Sequence, residues 1–155
     1  MIEIEEITAA DIDHFWKIHI RYLTEDGIVA DPEDIEYFQS GECRNLIRSQ
    51  MERGYDRHHM VFFVEGGNRI GAAQYMTYKS RDGKCFLLDF WIFPEFRNRG
   101  KGHEAFQILE KRTRKDGAAY SEINSEKEDS VRFWKSLGFS ENGSDEWGDP
   151  LFVRL

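Results

Sequence analysis

The sequence lacks long hydrophobic runs and has little cysteine. Its apolar stretches fall well short of the ~20 consecutive residues that a membrane-spanning helix needs. The N-terminal region carries acidic side chains instead of a basic segment followed by a hydrophobic one. Its two cysteines, Cys43 and Cys85, lie far apart in the sequence. We therefore expect no membrane segment, signal peptide, disulfide or metal site, and we interpret both cysteines as buried thiols of a cytoplasmic protein.

The sequence also lacks an excess of basic residues. Its formal net charge is -8, whereas a general nucleic-acid-binding domain is normally basic, so we expect no nucleic-acid partner. Residues 22–43 contain no Lys or Arg, but residues 97–115 contain seven, against only Glu104 and Glu110. This asymmetry indicates a site for a cation in one region and for an anion in the other. The alternative is that both regions are solvated helix faces.

The composition supports one folded domain spanning residues 1–155, because 40% of the residues are hydrophobic and 14% are aromatic. No internal repeat, low-complexity segment or linker is present. Periodicity and turn signals predict the order β-α-α-β-β-β-α-β-α-β-β, an α+β fold in which helices flank a mixed, mostly antiparallel central sheet.

The predicted elements follow from local signals. Strands are expected at residues 1–7, 60–65, 69–78, 85–93 and 120–124, and two more after Gly138, with "NGS" as the turn between them. A capping-box-like Thr8 begins the first helix, which ends near Leu23, and a second helical region runs from Asp31 to Gly54 with a break near Ser40. Further helices are expected at 100–115 and, after a capping box formed by Ser125 and Glu128, up to Gly138.

The stretch "RNRGKG", residues 97–102, lies between an apolar strand and a predicted helix. The start of a helix presents backbone N–H groups without intrahelical partners and the positive end of the helix dipole. Gly100 and Gly102 allow an anion to approach the backbone, and Arg97, Arg99 and Lys101 add positive charge. These features predict a phosphate-binding loop, although neither a Walker sequence nor a dinucleotide fingerprint is present.

The longer segment "DFWIFPEFRNRGKG" resembles the acetyl-coenzyme A site of the GNAT N-acetyltransferase superfamily, whose signature is Arg/Gln-x-x-Gly-x-Gly/Ala. Arg97, Gly100 and Gly102 occupy the three signature positions. Downstream, "SVRFWKSLGF" is similar to the closing helix of that superfamily and its Leu-Gly-Phe ending. The predicted element order also matches the superfamily's fold.

The resemblance implies specific roles for the residues of this segment. The backbone amides of residues 98–103 would hold the pyrophosphate of acetyl-CoA, and the edge of the preceding strand would bind the pantetheine arm, with the sheet splaying beyond it. The basic side chains from Arg97 to Arg114 would face the phosphates. The expected cofactor-binding residues are Phe90, Trp91, Ile92, Arg97, Asn98, Arg99, Gly100, Lys101, Gly102 and His103.

Asp89 is the first candidate for a catalytic group, because it is the only charged residue within the apolar stretch 85–93. A carboxylate seldom enters such a stretch without a partner or a task. Related strands of the superfamily often carry Asp or Glu here, but Leu88 replaces the Glu of the spermidine/spermine acetyltransferases' Glu-Asp pair. We expect Asp89 to be a general base or amine-binding group; a structural hydrogen bond to backbone or arginine is the alternative.

The closing helix departs from the superfamily, because Trp134 occupies the position of the usual acidic Tyr. An indole N–H can donate a hydrogen bond but does not usefully release its proton. We expect Trp134 to pack in the core and solvent to protonate the departing thiolate, with Tyr75, Tyr78 or Tyr120 as possible substitutes. Lys127 falls where the superfamily often has Asn, with Asn124 nearby.

The acceptor pocket of the superfamily lies in its first helical region. Trp16 is expected in the core, whereas Tyr22, Tyr37 and Phe38, with the acid-rich residues 25–36, would form a pocket for a cationic amine. His14 and His19 share a helix at a spacing that does not suit a metal, so we interpret them as surface or packing residues. We expect His58 and His59 to lie in a loop before a strand; the alternative places them in the acceptor cleft.

These observations predict an acetyl-CoA-dependent N-acetyltransferase without a metal, in which a small-molecule primary amine attacks the thioester directly in a ternary complex. The alternative is a non-catalytic acyl-CoA-binding sensor that regulates a partner protein, and a third interpretation is a nucleotide-binding module. A homodimer is expected by analogy with the superfamily alone.

Overall fold

The computed structural model describes residues 1–25 and 31–155. Its strands are β1 (Glu3–Glu6), β2 (His58–Glu65), β3 (Asn68–Tyr78), β4 (Lys84–Ile92), β5 (Tyr120–Asn124), β6 (Ser140–Ser144) and β7 (Pro150–Arg154). Its helices are α1 (Ile12–Glu25), α2 (Pro32–Gln39), α3 (Gly41–Glu52), α4 (Lys101–Lys115) and α5 (Glu128–Ser136). The α+β class and the predicted element order are confirmed, with the second helical region divided at its predicted break near Ser40 into α2 and α3. Within the described residues, no helix has the length and apolar character to cross a bilayer.

The strands form one sheet in the order β1-β2-β3-β4-β5-β7-β6. Neighbouring strands are antiparallel except β4 and β5, which are parallel. Helix α4 covers one face, where Phe106 and Leu109 pack with Phe63, and α1 covers the other, where Phe15 packs with Phe62. Two hydrophobic cores therefore lie on opposite sides of the same sheet.

The parallel strands β4 and β5 pair over only part of their length. Their register runs from Lys84 opposite Tyr120 to Leu87 opposite Ile123. Beyond that point β4 continues along β3 as far as Ile92, whereas β5 ends at Asn124 and the chain turns toward α5. The sheet therefore splays at this position, as the superfamily resemblance implied.

A β-bulge in β4 sets which face its residues occupy. Tyr75 pairs with Leu87 and Gln74 pairs with Asp89, so Leu88 is an extra residue without a cross-strand partner. Leu87 belongs to the α4-side core, and regular alternation would direct Asp89 to the same side. The extra residue reverses the alternation. The position of Trp91 shows this, since Trp91 lies two residues after Asp89, on the same side of the strand, and packs in the α1-side core. Asp89 consequently faces α1.

Two predicted helix starts and one predicted turn are wrong. Thr8 makes no side-chain cap, and a 3₁₀ turn precedes α1. Helix α5 begins at Glu128 with Lys127 as its N-cap, because the Ser125 N–H bonds the Pro150 carbonyl and keeps the chain extended. The residues "NGS" lie in β6 beside a bulge, and the chain turns instead at residues 145–149, where Asp145 accepts backbone hydrogen bonds from Trp147 and Asp149.

Candidate active site

The loop before α4 has a backbone conformation that favours glycine at position 100. Gly100 is the N-cap of α4 with φ of 72°, and Asn98 also has a positive φ of 63°. A side chain at Gly100 would meet no atom within 4 Å, so the space beside this residue is open. The first hydrogen bond of the turn runs from the Glu104 N–H to the Gly100 carbonyl at 3.3 Å. Helix geometry gives the backbone N–H groups of the residues before Glu104 no intrahelical partner, so these groups can bind a ligand.

Gly102 has a different structural role from Gly100. A Cβ atom at this position would lie 2.8 Å from Cε1 of Phe133, inside normal contact distance. The missing side chain therefore lets α5 pack against the first turn of α4. This packing holds the two helices that form the walls of a groove.

The basic side chains of residues 97–115 do not all face this loop. The Arg97 Nε atom donates to the Ile92 carbonyl at 2.7 Å, and Lys101 pairs with Glu65 at 2.7 Å. Arg112 reaches Glu6 at 2.9 Å, and Arg114 donates to the Arg154 carbonyl at 3.3 Å. The expectation that all of them face the phosphates is wrong for Arg112 and Arg114, because these contacts direct them to β1 and β7.

A groove and a crevice meet beside the splayed strands. The groove has a volume of about 880 Å³ and extends from the α4 start along β4 to α5. It contains nine of the ten predicted cofactor-binding residues, namely Phe90, Trp91, Ile92, Arg97, Asn98, Gly100, Lys101, Gly102 and His103. The crevice, about 300 Å³, contains Asp89 between β4 and β5. Both cavities are lined by Tyr22, Phe90, Lys127, Ser130 and Trp134, so they adjoin.

Asp89 is at the centre of a network of polar side chains whose other members lie on α1, β2 and β3. Its Oδ2 atom accepts a hydrogen bond from Gln74 Nε2 at 3.0 Å and lies 3.5 Å from His19 Nε2. Gln74 Oε1 in turn lies 2.7 Å from His58 Nε2. The partners differ from the backbone or arginine that the sequence suggested, because the bulge at Leu88 turns Asp89 toward α1.

The surroundings shift the pKa values of this network. Burial raises the pKa of Asp89 to about 7, although the Gln74 hydrogen bond opposes the shift. Burial lowers the pKa of His19 to about 3 and that of His58 to about 4. Both imidazoles are therefore neutral at pH 7, and the carboxyl group is poised between its two forms.

The network includes residues that the sequence analysis assigned elsewhere or missed. His58 and His59 are the first residues of β2 and not a loop, because they pair with β3. His19 is a packing residue as expected, but its contact with Asp89 was not predicted. One signal for His58 is present in "HHMVFF": His58, Met60 and Phe62 alternate on one face of the strand, where Met60 and Phe62 are buried. No comparable local signal identifies Gln74.

Trp134 packs in the core, as expected, with only 7% of its surface exposed. Its ring packs against Phe90 and Phe106 while lining both cavities. Of the possible substitutes, Tyr75 is buried in the α4-side core and Tyr120 donates to Asp82 at 2.6 Å. Among the described residues that line the crevice, Tyr75, Tyr78 and Tyr120 are absent.

The side chains expected around the acceptor have different positions. Trp16 is buried and donates from its indole nitrogen to the Phe38 carbonyl, whereas Tyr37 is exposed. Tyr22 stacks on Trp91, with ring centroids 4.4 Å apart, and lines both cavities. Part of the acid-rich segment, residues 26–30, lies outside the described residues.

Two other expectations concern residues away from the acceptor. Asn124, on β5, donates a hydrogen bond to Asp145 at 3.1 Å. Both cysteines are buried free thiols.

Comparisons with known proteins agree with this architecture. A model of the acetyltransferase (GNAT) family matches residues 16–139. The fold is similar to that of PaiA N-acetyltransferase from Thermoplasma acidophilum in complex with coenzyme A, with 18% identity, a TM-score of 0.71 and coverage of 99% of this chain and 98% of that one. An acetyltransferase from Thermus thermophilus shows 14% identity, a TM-score of 0.70 and coverage of 99% and 96%.

A third similar structure is N-acetylglutamate synthase from Neisseria gonorrhoeae complexed with coenzyme A and N-acetyl-glutamate. It shows 18% identity and a TM-score of 0.67, and the alignment covers 99% of this chain but 35% of that one. No curated protein sequence matches the chain. At these identities the structural similarity establishes the fold, and the family model establishes the family.

Proposed function

Because the chain belongs to the GNAT acetyltransferase family, we propose that it is an N-acetyltransferase that moves an acetyl group from acetyl-CoA to a primary amine of a small molecule. One observation carries this proposal: the crevice beside Asp89 adjoins the groove at the start of α4. Two substrates can therefore meet at Phe90 and react directly in a ternary complex.

The groove has the features that a diphosphate and a peptide-like chain require. Open space beside Gly100 gives an anion access to the amides of residues 98–103 at the positive end of α4. Strand β4 pairs with β5 only as far as Leu87, so its edge at Phe90, Trp91 and Ile92 is not covered by β5 and can approach the pantetheine arm. The Ile92 carbonyl is the exception, because it already accepts a hydrogen bond from Arg97 Nε at 2.7 Å. Bound acetyl-CoA would supply the acetyl thioester, whose C–S bond breaks as the amine nitrogen bonds to the carbonyl carbon.

Asp89 is the proposed proton acceptor. An alkylammonium group has a pKa near ~10.4, so it must lose a proton before its nitrogen can attack. A carboxyl group with a pKa of about 7 is partly ionised at neutral pH and can regain its proton-accepting form after each cycle. Gln74 and His19 both approach Oδ2. We therefore assign the amine proton to Oδ1.

Solvent is the proposed proton donor for the departing thiolate. Trp134 can orient a group by hydrogen bonding but does not serve as an acid. A thiol with a pKa of ~8.5 is a tolerable leaving group without a dedicated acid. The absence of the family tyrosine at this position is consistent with an enzyme that is slower by a factor of ~10²–10⁴ than one with a general acid.

A cationic small molecule is the proposed acceptor. The crevice is lined by the carboxylates of Asp89, Glu126 and Asp149 together with the ammonium group of Lys127. Acidic groups therefore outnumber basic ones around the space for the amine, and this charge favours a positively charged acceptor over an acidic one.

The test combines acetyl-CoA with polyamines, aminoglycosides and amino-acid amides, and measures both thiol release and acetylated product. Turnover with cationic amines is the expected result, and a preference for neutral or acidic acceptors would contradict the proposed charge complementarity. Binding of acetyl-CoA without turnover would favour the sensor alternative. A thermal-shift competition between coenzyme A and ATP addresses the third interpretation, which predicts that ATP competes equally well.

A further inference from the structure

Asp89 is connected to a buried histidine two strands away through a side-chain amide. Gln74 lies on β3 between them, with Nε2 3.0 Å from Asp89 Oδ2 and Oε1 2.7 Å from His58 Nε2. Gln74 and His58 are both buried, with 2% and 5% of their surfaces exposed. Three polar side chains on adjacent strands therefore form a continuous row across the α1 face of the sheet.

The chemistry of the row fixes the orientation of each member. An ionised carboxylate can only accept hydrogen bonds, so Gln74 must present its NH₂ group to Asp89. Its carbonyl oxygen then faces His58 and requires a donor there. His58 must accordingly carry its proton on Nε2, because a bare Nε2 would place two acceptors against each other at 2.7 Å.

We infer that His58 is a positioning residue that acts through Gln74 to keep Asp89 in its proton-accepting form. The inference rests on the proposed role of Asp89 as the base. If His58 carried its proton on Nδ1, Gln74 would flip and turn its own oxygen toward Asp89. That oxygen would repel an ionised carboxylate and favour the protonated acid, which cannot take a proton from the amine.

The surroundings of His58 support the same tautomer. The Nδ1 atom is buried and has no hydrogen-bond partner among the described residues, whereas Nε2 faces an acceptor. Burial lowers the pKa of His58 to about 4, so a single proton must be placed on one of the two nitrogens. The other titratable groups that contact Asp89 or line its crevice are His19, Tyr22, Glu126, Lys127 and Asp149, and the charged or titratable groups that act on His58 are His59 and Arg53.

The first experiment is independent of enzymatic activity. In protein labelled with ¹⁵N at histidine, long-range ¹H–¹⁵N spectra identify the protonated nitrogen of each of the five histidines. The signal of His58 is assigned by its loss in His58→Gln. Protonation at Nε2 is the expected result at pH 7, and protonation at Nδ1 would overturn the inference whether or not the protein acetylates amines.

The second experiment follows the Asp89 carboxyl group by ¹³C NMR titration in wild type, His58→Leu and His58→Gln. His58→Leu removes the donor to Gln74, whereas Gln at position 58 has an NH₂ group that can replace it. We expect the midpoint of Asp89 to rise by about one pH unit in His58→Leu, because the hydrogen bonds that favour its ionised form weaken. His58→Gln should restore the wild-type midpoint.

The same variants provide a kinetic readout. In an active enzyme, the rise of kcat/KM with pH should shift upward in His58→Leu by the amount seen in the titration, and the KM for acetyl-CoA should not change. An unchanged Asp89 midpoint in folded His58→Leu would refute the inference. If His58→Leu does not fold, the tautomer measurement on the wild-type protein decides the question alone.

Discussion

The imidazole Nε2 atom of His19 lies 3.5 Å from the carboxylate Oδ2 atom of Asp89. The two residues come from adjacent layers, helix α1 and strand β4 of the sheet, and they meet because the bulge at Leu88 turns Asp89 away from the α4 side. His19 is buried and Asp89 is mostly buried, with 3% and 18% of their side chains exposed, and this desolvation raises the pKa of the acid and lowers that of the imidazole. Near pH 7, the charge of the pair therefore depends on Asp89 alone.

Replacing Asp89 with asparagine tests its role as a base. We expect the turnover number at pH 7 to fall by a factor of ~10²–10⁴, because an amide cannot accept the amine proton. In the wild type, kcat/KM should rise with pH with a midpoint near the Asp89 pKa of about 7, because the ionised form is the active one. Steady-state kinetics across this pH range should show that rise in the wild type and its absence in the variant. Equal turnover in both proteins would exclude Asp89 as the base.

Asp89→Asn should raise the free energy of unfolding at neutral to alkaline pH, although it lowers the turnover number. The pKa of Asp89 rises from 3.8 to about 7 on folding, so the folded state holds a proton that the unfolded state releases between these values. The free energy of unfolding contributed by Asp89 therefore decreases as pH rises through this window. Asparagine does not ionise and therefore does not lose stability in this window. Chemical denaturation at about pH 8 should show the variant to be the more stable protein, with a smaller difference near about pH 4. A variant that fails to fold would indicate a structural role for the carboxylate.

The loop before α4 could be predicted from sequence because its determinants are local. Pro94 and Gly100 lie close together, and each has a conformational effect that depends on its immediate neighbours. The packing of Gly102 against Phe133 of α5 is a tertiary contact and is not such a local signal. The two wrong helix starts show the limit of such signals. Ser125 has the sequence of a capping residue, but its N–H group bonds Pro150 in the chain entering β7, and this distant contact determines where α5 begins.

The setting of Asp89 could not be predicted in the same way. Strict alternation through residues 85–93 gives no sign that Leu88 is a bulge, because the bulge is defined by its pairing with β3. The partners of Asp89 come from α1 and β3, and each reaches it only after the sheet and helix have packed. Buried polar networks of this kind depend on tertiary contacts, and sequence periodicity carries little information about them.

Deleting Leu88 separates the side that Asp89 faces from the local distortion that the bulge causes. In the deletion variant Leu87 and Asp89 would be consecutive and would pair with Tyr75 and Gln74 in a regular ladder, so Asp89 would stay on the α1 side beside Gln74. We expect the variant to remain active and to keep the pH midpoint of the wild type, because the hydrogen bond from Gln74 to Asp89 is retained. Leu88→Ala is the matched control, since its side chain is 43% exposed and the bulge is retained. Chemical denaturation and kinetics of both variants measure the effect. A deletion variant that folds but loses turnover would show that the bulge positions Asp89 by more than the choice of face.

Substitutions at Gly102 separate packing from charge at the proposed diphosphate site. Asparagine and aspartate both introduce a Cβ atom 2.8 Å from the Phe133 ring, and each should cost about 1–3 kcal/mol of stability through overpacking. Only aspartate adds a negative charge beside the amides of the α4 start. Isothermal titration with coenzyme A should therefore show at least about tenfold weaker binding for Gly102→Asp than for Gly102→Asn. Equal affinities would indicate that the phosphates bind elsewhere.

Trp134 provides a test of the missing general acid. Trp134→Phe and Trp134→Tyr remove similar volume from a side chain that packs against Phe90 and Phe106, so both should lose about 1–3 kcal/mol of stability. Only the tyrosine hydroxyl can give a proton to a thiolate at the junction of groove and crevice. Because a well-positioned acid contributes a factor of ~10²–10⁴ to the rate, we expect kcat to be at least about tenfold higher in the tyrosine variant than in the phenylalanine variant. Comparing the two variants with each other cancels their shared packing defect. Identical kcat values would mean that protonation of the thiolate does not limit the rate, and that Trp134 replaces the family tyrosine without a catalytic cost.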